Sequence, residues 1–204
     1  MLIIITSPDK IVNETELLNQ LFAQGLEILH LRKPSWAKPD FEALLKSINP
    51  EHKRKVVLHQ FHELAAKYNV KGLHLREENR KQLSISELKE LSKELKRKNL
   101  TFSSSFHSIE DVVASGNVLD YVFLSPVFDS ISKPDYVGSK FNVQSLKRET
   151  KIIALGGIDA SNIHQTKELG FDGVAVLGAV WGESEKVLET FINLKKAFIN
   201  LLNC

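Results

Sequence analysis

Cysteine is nearly absent from this chain of 204 residues, in which Cys204 is the single example. One thiol can form neither an internal disulfide nor a cysteine cluster for a metal, so both kinds of site are excluded. Histidine is the remaining zinc ligand, but His59 and His62 fit neither the HExxH motif nor a Cys/His spacing. His59 and His74, together with Glu77, are instead candidates for proton donors or acceptors.

The chain also lacks a long apolar run and an excess of charge of either sign. No stretch reaches the roughly 20 apolar residues that cross a bilayer. The first ten residues, MLIIITSPDK, have neither a basic leader nor a cleavage site and suit a strand rather than a signal peptide. Lys and Arg number 27 against 25 Asp and Glu, and the net charge of +2 indicates no nucleic acid or membrane partner. We therefore expect a cytoplasmic protein.

Short apolar runs rich in β-branched residues alternate with helical patterns, and such runs are typical of strands buried on both faces. The predicted strands are Leu2–Thr6, Ile28–Leu31, Val56–Leu58, Gly72–Leu75, Thr101–Ser104, Tyr121–Leu124, Ile152–Leu155 and Gly173–Val176. The predicted helices are Glu14–Ala23, Phe41–Ile48, Phe61–Tyr68, Ile85–Lys98, Ile109–Ser115, Ser145–Glu149, Ser161–Leu169 and Glu185–Leu202. Eight strand–helix pairs without a linker predict an α/β fold, a single-domain (β/α)8 TIM barrel over residues 1–204.

An open doubly wound sheet is the structural alternative. That fold usually carries a glycine-rich turn after its first strand, whereas the turn here is Thr6-Ser7-Pro8-Asp9. The closed barrel is therefore favoured, and it places the functional site at the C-terminal ends of the strands.

Glycines follow the last two predicted strands. Gly156 and Gly157 come directly after strand 7, and Gly178 comes after Val176 and Leu177 at the end of strand 8. Glycine lets backbone N–H groups approach an anion closely, and a following helix adds its positive end. Tight turns without a ligand are the alternative explanation. Because these glycines occupy consecutive strand ends late in a barrel, they favour a phosphate site.

Basic and hydroxyl side chains follow other strands. Arg32 and Lys33 form a basic pair after strand 2 that suits a phosphate or diphosphate, and ordinary surface charge is the alternative. Lys133 lies in a loop after strand 6 that is long enough to close over a ligand. The serines in these connections are candidates for hydrogen bonds to phosphate oxygens, and they are Ser103, Ser105, Ser130 and Ser132.

These segments together resemble the thiamine-phosphate synthase/TenI superfamily. The matching segments, in chain order, are His30-Leu31-Arg32, Gly72-Leu73-His74-Leu75, His107-Ser108-Ile109-Glu110, Asp120-Tyr121-Val122, Ser125-Pro126-Val127-Phe128 through Lys133, Ala154-Leu155-Gly156-Gly157-Ile158 and Gly173-Val174-Ala175-Val176. The resemblance covers nearly the whole chain and is specific to the superfamily rather than to one reaction within it.

The resemblance implies a protein that joins hydroxymethylpyrimidine diphosphate to thiazole phosphate and releases diphosphate, with help from Mg²⁺ and without an organic cofactor. By match to the family motifs, Arg32 and Lys133 would hold the diphosphate, with Ser105 nearby. The glycines after strand 7 and the backbone near Val176–Leu177 would hold the thiazole phosphate. Small barrels of this family commonly pair, so a homodimer is a further expectation.

The implied metal positions depart from the family pattern. The residues aligned with the two carboxylate ligands of Mg²⁺ are the amides Gln60 and Asn79, for which Glu77 or Glu78 would have to substitute. TenI-type thiazole tautomerases resemble the synthase without its diphosphate machinery, and their loop histidine aligns with Pro126. Three hypotheses therefore stand: a synthase with altered metal binding, a TenI-type tautomerase, and a catalytically silent binder of thiazole phosphate or thiamine phosphate.

Overall fold

Eight parallel strands pair in chain order, and the last pairs with the first, in a computed structural model that describes residues 1–129, 138–139 and 141–203. The strands are β1 Leu2–Ile5, β2 Ile28–Leu31, β3 Val56–Leu58, β4 Gly72–Leu75, β5 Thr101–Phe106, β6 Tyr121–Leu124, β7 Lys151–Leu155 and β8 Gly173–Val176. The closed barrel confirms the predicted (β/α)8 fold over the described residues and rules out the open doubly wound sheet.

Helices cover the outside of the strands. They are α1 Glu14–Ala23, α2 Lys38–Ser47, α3 Leu64–Tyr68, α4 Glu77–Lys81, α5 Ile85–Arg97, α6 Ile109–Ala114, α7 Ile163–Glu168, α8 Gly178–Trp181 and α9 Val187–Asn203, with 3₁₀ turns at Pro50–Lys55, Gly116–Val118 and Ser184–Lys186. The apolar pattern predicted α1 at its observed bounds but did not indicate the short helices α4 and α8. Among the described helices, none combines the length and the apolar character needed to span a membrane.

The predicted helix over Ser145–Glu149 is wrong, because these residues form a turn and irregular backbone. The guanidinium of Arg148 donates to the carbonyl oxygens of Val143 at 2.9 Å and Gly170 at 2.7 Å, and to the Asp172 carboxylate at 3.0 Å. The segment is thereby tied to the connection between β7 and β8. Backbone carbonyl groups in and beside this segment accept hydrogen bonds from the Arg148 side chain instead of from backbone N–H groups of a helix.

Side chains on each strand alternate between the outside and the inside of the barrel. Outward residues such as Ile4, Leu29 and Leu58 belong to the large core beneath the helices. The inward residues form a separate apolar cluster, which consists of Ile3, Ile5, Ile28, Val57, Tyr121, Phe123, Ile153 and Ala175. Because the alternation has a period of two, the last inward position of each strand lies at the C-terminal mouth.

Candidate functional site

The C-terminal ends of the strands surround a cavity of about 300 Å³, which we call the mouth cavity. Residues at inward positions from all eight strand ends line it, and they are Ile5, Arg32, His59, Arg76, Ser105, Phe123, Leu155 and Leu177. A second cavity of about 380 Å³ shares Arg32, His59 and Arg76 with the first and extends to Asn79. Strand register alone thus brings together residues that are far apart in the sequence.

A larger groove of about 930 Å³ lies outside the mouth, between α1 and α2. Lys10, Trp36 and Leu44 line this groove, but it reaches neither Arg32 nor the glycines after β7. The groups that could bind two anionic substrates are at the mouth, so we place the candidate site there.

Gly156 and Gly157 follow β7 with φ angles of +101° and +65°, a region that side-chain-bearing residues rarely adopt. A Cβ atom on Gly157 would lie 2.2 Å from the backbone oxygen of Asp129. A Cβ atom on Gly156 would lie 3.0 Å from the Cα atom of Pro126. The backbone conformation and the close approach of the chain after β6 therefore require glycine at both positions, independently of any ligand.

The backbone amides directly after β7 and β8 have no hydrogen-bond partners among the described residues. Within the described part of the chain, no hydrogen bond is made by the backbone N–H of Gly156, Gly157, Leu177 or Gly178. Gly178 begins α8, and Leu177 directly precedes that helix after the buried Val176. Amides that have no protein partner beside a cavity are suited to donate to phosphate oxygens.

The interpretation of Arg32 and Lys33 as a basic pair at the mouth is wrong, because Lys33 points away from it. The Lys33 ammonium group is buried and lies 2.7 Å from both the Glu14 carboxylate and the carbonyl oxygen of Asp9. Burial raises the pKa of Glu14 and lowers the pKa of Lys33, and their pairing acts in the opposite direction. The ion pair joins the connection after β1 to the connection after β2.

Arg32 and Arg76 line both cavities of the mouth. Among the described residues, no carboxylate pairs with Arg32, and Arg76 has only the exposed Glu78 at 3.7 Å. Burial, and then the charge of Arg76, lower the pKa of the Arg32 guanidinium, which nevertheless stays protonated at neutral pH. The mouth therefore holds two guanidinium groups on the side formed by β2 and β4.

Reasoning from the sequence missed Arg76, although a signal was present. The tripeptide His-Leu-Arg spans the ends of both β2 and β4, as His30-Leu31-Arg32 and as His74-Leu75-Arg76. In both strands the histidine is an inward residue, so the arginine two positions later is inward as well. The repeat places equivalent arginines on two strands of one side of the barrel.

Three buried histidines lie beneath the arginines. His30 Nδ1 is 2.8 Å from His59 Nε2, and His30 Nε2 is 2.7 Å from the Tyr121 hydroxyl. The His74 ring stacks on the His59 ring with centroids 4.1 Å apart. Burial lowers the pKa of His30 and His59 well below its usual range and the pKa of His74 to about 3. Repulsion between protonated imidazoles acts in the same direction, as does the charge of Arg32 at His59 and His74. All three rings are therefore neutral at pH 7.

His30, His59 and His74 each have one ring nitrogen within 4.8 Å of a ring nitrogen of the other two, a spacing that would allow them to bind a metal ion. However, both nitrogens of His30 are hydrogen-bonded to protein groups, and so are both nitrogens of His74. These partners account for the cluster as a hydrogen-bonded polar layer. Of the three rings, His59 is the one that lines the mouth cavities.

Ser103 and Ser105 both face into the barrel but at different depths. The Ser105 hydroxyl is 2.8 Å from His74 Nε2 and lines the mouth cavity. The Ser103 hydroxyl is fully buried, 2.9 Å from His74 Nδ1 and 3.3 Å from the carbonyl oxygen of Leu73. Both hydroxyls therefore hold the ring of His74, and of the two only Ser105 also lines the mouth cavity.

The amides at the implied Mg²⁺ positions offer little to a cation. The Gln60 side chain accepts from the Lys33 backbone N–H at 3.1 Å and donates to the Lys33 carbonyl oxygen, so it clamps the connection after β2. Asn79 supplies an uncharged amide at the edge of the second cavity. Neither residue brings the anionic oxygen that Mg²⁺ prefers.

The neighbouring carboxylates are not free substitutes. Glu77 lies 3.0 Å from Lys81 and 3.5 Å from both Arg80 and His107, so its charge is already compensated. The Glu78 side chain is 74% exposed. With two guanidinium groups in the same cavity, this donor set does not fit a bound Mg²⁺ ion.

Ser130, Ser132 and Lys133 lie outside the described residues, so their contacts with a ligand stay predictions. The described backbone on either side of them is held together, because the Gly138 N–H donates to the Asp129 carboxylate at 2.8 Å. This contact places the base of the connection after β6 beside the glycines after β7.

Several known protein sequences are similar to this chain. A family model described as thiamine monophosphate synthase matches residues 2–180. A thiamine-phosphate synthase from Syntrophomonas wolfei is 27% identical over 170 residues, which cover 79% of this chain and 78% of that protein. A thiamine-phosphate synthase from Clostridium tetani is 23% identical over 179 residues, which cover 83% of this chain and 81% of that protein.

Solved structures give a similar result. A thiamine phosphate pyrophosphorylase from Bacteroides thetaiotaomicron superposes with a TM-score of 0.72 and 29% identity, covering 97% of each chain. A protein of the same description from Pyrococcus furiosus superposes with a TM-score of 0.76 over 98% of this chain and 96% of that one. Its identity of 23% supports likeness of the fold.

Proposed function

Because this chain belongs to the thiamine monophosphate synthase family, we propose that it acts in thiamine biosynthesis and joins hydroxymethylpyrimidine diphosphate to thiazole phosphate. One observation carries the proposal. Guanidinium groups line the mouth cavity on the side of β2 and β4, and Leu155 and Leu177 line it on the side of β7 and β8, where the adjoining backbone amides have no described protein partners. Two separate anion-binding groups across one cavity suit a reaction between two phosphorylated substrates.

The thiazole phosphate is proposed to bind at the corner formed by Gly156, Gly157, Leu177 and Gly178. The amides there can donate to the phosphate oxygens, and the partial positive charge of their N–H groups favours an anion. Leu155 and Leu177 line the adjoining wall of the cavity and offer an apolar surface to the thiazole ring. Ser130 and Ser132 remain candidates for contacts with phosphate oxygens, and Lys133 remains the candidate that would hold the diphosphate together with Arg32.

The pyrimidine diphosphate is proposed to bind on the opposite side, with its diphosphate at Arg32 and with Ser105 nearby. The bond between the pyrimidine methylene carbon and the diphosphate oxygen breaks, and the electron pair leaves on the diphosphate. The electron-rich pyrimidine carries the developing positive charge, and the thiazole nitrogen donates its lone pair to form the new carbon–nitrogen bond. The products are thiamine phosphate and diphosphate.

A second candidate function is favoured by the poor fit of the residues around Gln60 and Asn79 to Mg²⁺. A TenI-type tautomerase of thiazole phosphate would need the glycine corner and a proton shuttle, but no diphosphate site. His59 is the imidazole of the buried cluster that lines the cavity, and it is the candidate shuttle. A silent binder of thiazole phosphate or thiamine phosphate would need the glycine corner alone.

The deciding experiment incubates the purified chain with both substrates and measures thiamine phosphate and released diphosphate, with Mg²⁺ and with EDTA. Stoichiometric formation of both products supports the synthase. If neither product forms at high enzyme concentration while thiazole phosphate still binds, the synthase proposal is contradicted. Spectroscopic conversion of the non-aromatic thiazole tautomer would then identify a tautomerase, and its absence would leave a binding protein.

Lys133→Ala provides a further test of the proposed division of the cavity. We expect this variant to bind diphosphate about tenfold more weakly, because one charge-assisted contact is lost, and to bind thiazole phosphate almost unchanged. Equal losses for both ligands would contradict the assignment of Lys133 to the diphosphate side.

A further inference from the structure

Within the described residues, neither guanidinium group of the mouth has a buried carboxylate partner, although Glu77 and Glu78 also line the mouth cavity. Arg32 is partly buried and has no carboxylate partner there, and Arg76 meets only the exposed Glu78 at 3.7 Å. Burial lowers the pKa of the Arg32 guanidinium, and the positive charge of Arg76 lowers it further. Two like charges held in one cavity are stabilised by a bound anion, and best by one with several negative oxygens.

The backbone holds Arg32 at this position through defined contacts. Its N–H donates to the Thr6 hydroxyl oxygen at 2.9 Å, and the same hydroxyl donates to the Arg32 carbonyl oxygen at 3.0 Å. Arg76 is the residue directly before α4, and its backbone carbonyl oxygen accepts from the Arg80 N–H at 3.0 Å. Both guanidinium groups therefore extend from ordered strand ends.

From this arrangement we propose that Arg32 and Arg76 together bind a diphosphate group without a divalent cation, so that the second guanidinium neutralises charge that a metal would otherwise neutralise. The inference deepens the proposed function and rests on it for the identity of the diphosphate ester. A guanidinium donates two parallel N–H bonds to a phosphate group, and two of them can span the two phosphates of a diphosphate.

The surroundings of the arginine pair also oppose a dication. Of the two α4 carboxylates that line the mouth cavity, Glu77 is paired with Lys81 at 3.0 Å, and Glu78 is exposed and lies 3.7 Å from Arg76. The Gln60 amide is bound to the backbone of Lys33. A Mg²⁺ ion would thus enter a cavity with two positive side chains and without a free buried carboxylate among the described residues. Anion binding by arginine alone requires no such ligand set.

The test is calorimetric titration of the purified chain with inorganic diphosphate, in EDTA and in excess Mg²⁺. We expect binding in EDTA, and we expect Mg²⁺ to tighten it by less than about threefold. Arg76→Ala should weaken binding in EDTA about tenfold or more, because a charge-assisted pair of hydrogen bonds is lost. The matched control is Arg97→Ala, which removes an exposed arginine at the end of α5 and should leave binding unchanged.

The Arg76 side chain is 46% exposed, so its removal should leave the thermal midpoint close to that of the parent chain. Binding that appears only with Mg²⁺, or an Arg76→Ala variant that binds as well as Arg97→Ala, would overturn the proposal. The coupling assay separates this proposal from the proposed function. Diphosphate binding in EDTA without any coupling would refute the synthase alone, whereas coupling and diphosphate binding that both require Mg²⁺ would refute the metal-free pair alone.

Discussion

The two sides of the barrel mouth offer an anion different kinds of group. On the β7–β8 side the donors are backbone amides, and glycine is required there because Gly156 and Gly157 have positive φ angles and closely packed neighbours. On the β2–β4 side the donors are the side chains of Arg32 and Arg76, which line the mouth cavity. A backbone site is inseparable from the fold, whereas a side-chain site can change by single substitutions. Under the proposed function, this difference would let the side-chain half of the site change while the glycines after β7 are kept.

The largest expected effect is on stability, and it distinguishes Lys33 from Arg32 as the basic residue that faces the mouth cavity. Lys33→Ala should lower the free energy of unfolding by about 3–5 kcal/mol, since it leaves Glu14 buried without its partner. Diphosphate binding by the folded variant should be unchanged. Arg32→Ala should weaken diphosphate binding, measured by calorimetry, and should change the free energy of unfolding little, measured by urea unfolding. Loss of binding in Lys33→Ala without loss of stability would place Lys33 in the site.

The backbone side of the mouth is tested by Gly157→Ala. We expect a loss of about 3 kcal/mol in unfolding free energy, because strain at positive φ adds to the clash with Asp129. The control is Gly116→Ala, where φ is +59° but a Cβ atom would meet nothing within 4 Å. This control should cost only about 1 kcal/mol and leave thiazole-phosphate binding intact. Equal effects of the two substitutions would show that close packing at Gly157 is unimportant.

The buried histidines beneath the arginine side predict how stability changes with pH. Burial lowers the folded-state pKa of His74 to about 3, while its unfolded value is near 6.5. Below pH 6.5 the unfolded chain therefore takes up a proton that the folded chain does not, so stability falls as the pH falls through this window. The contribution of His74 is about 1.4 kcal/mol per pH unit, and the window closes near pH 3.

Urea unfolding between pH 7 and pH 5 measures this slope. His74→Gln should reduce the slope by about one proton, whatever its effect on absolute stability. His164→Gln removes an exposed histidine of α7 and serves as the control for the loss of one imidazole. A His74→Gln slope that equals the parent slope would contradict burial of a neutral His74.

The smallest expected effect compares two neighbouring serines of β5. Ser105→Ala should weaken diphosphate binding a few-fold, equivalent to about 1 kcal/mol, because its hydroxyl lines the mouth cavity. Ser104 faces outward, and its hydroxyl donates to the Leu75 carbonyl oxygen at 2.7 Å. Ser104→Ala should therefore reduce stability by about 1 kcal/mol and leave binding unchanged. Calorimetry and unfolding of both variants check this contrast, which the opposite pattern would contradict.

Local sequence predicted the barrel because each strand carries its own signal. Runs such as Val56–Leu58 and Tyr121–Leu124 are apolar on both faces, as strands between a helical layer and a barrel interior must be, and they match the observed bounds. The failure at Ser145–Glu149 has a different origin, since Arg148 bonds residues as distant as Asp172. A prediction from neighbouring residues cannot include such a contact.

The site was predicted in the same uneven way. The sequence predicted the turn glycines Gly156 and Gly157, which have positive φ angles, and placed Arg32 after a strand, where it lines the mouth cavity; their binding roles stay predictions. The role of Arg76 was not recognised, although its strand ends with the same tripeptide as the strand of Arg32. Lys33 was misassigned because its partner, Glu14, lies in α1 and not in the strand that precedes Lys33.

The sequence by itself thus determined the eight strands, their order and the glycine corner, because these depend on hydrophobic pattern and on backbone conformation near each residue. Only the tertiary structure decided which basic side chains face the cavity and which are used inside the protein. The physical reason is that a charged side chain is placed by partners far along the chain. Closure of the barrel brings Arg32 and Arg76 to one cavity, whereas it buries Lys33 against Glu14.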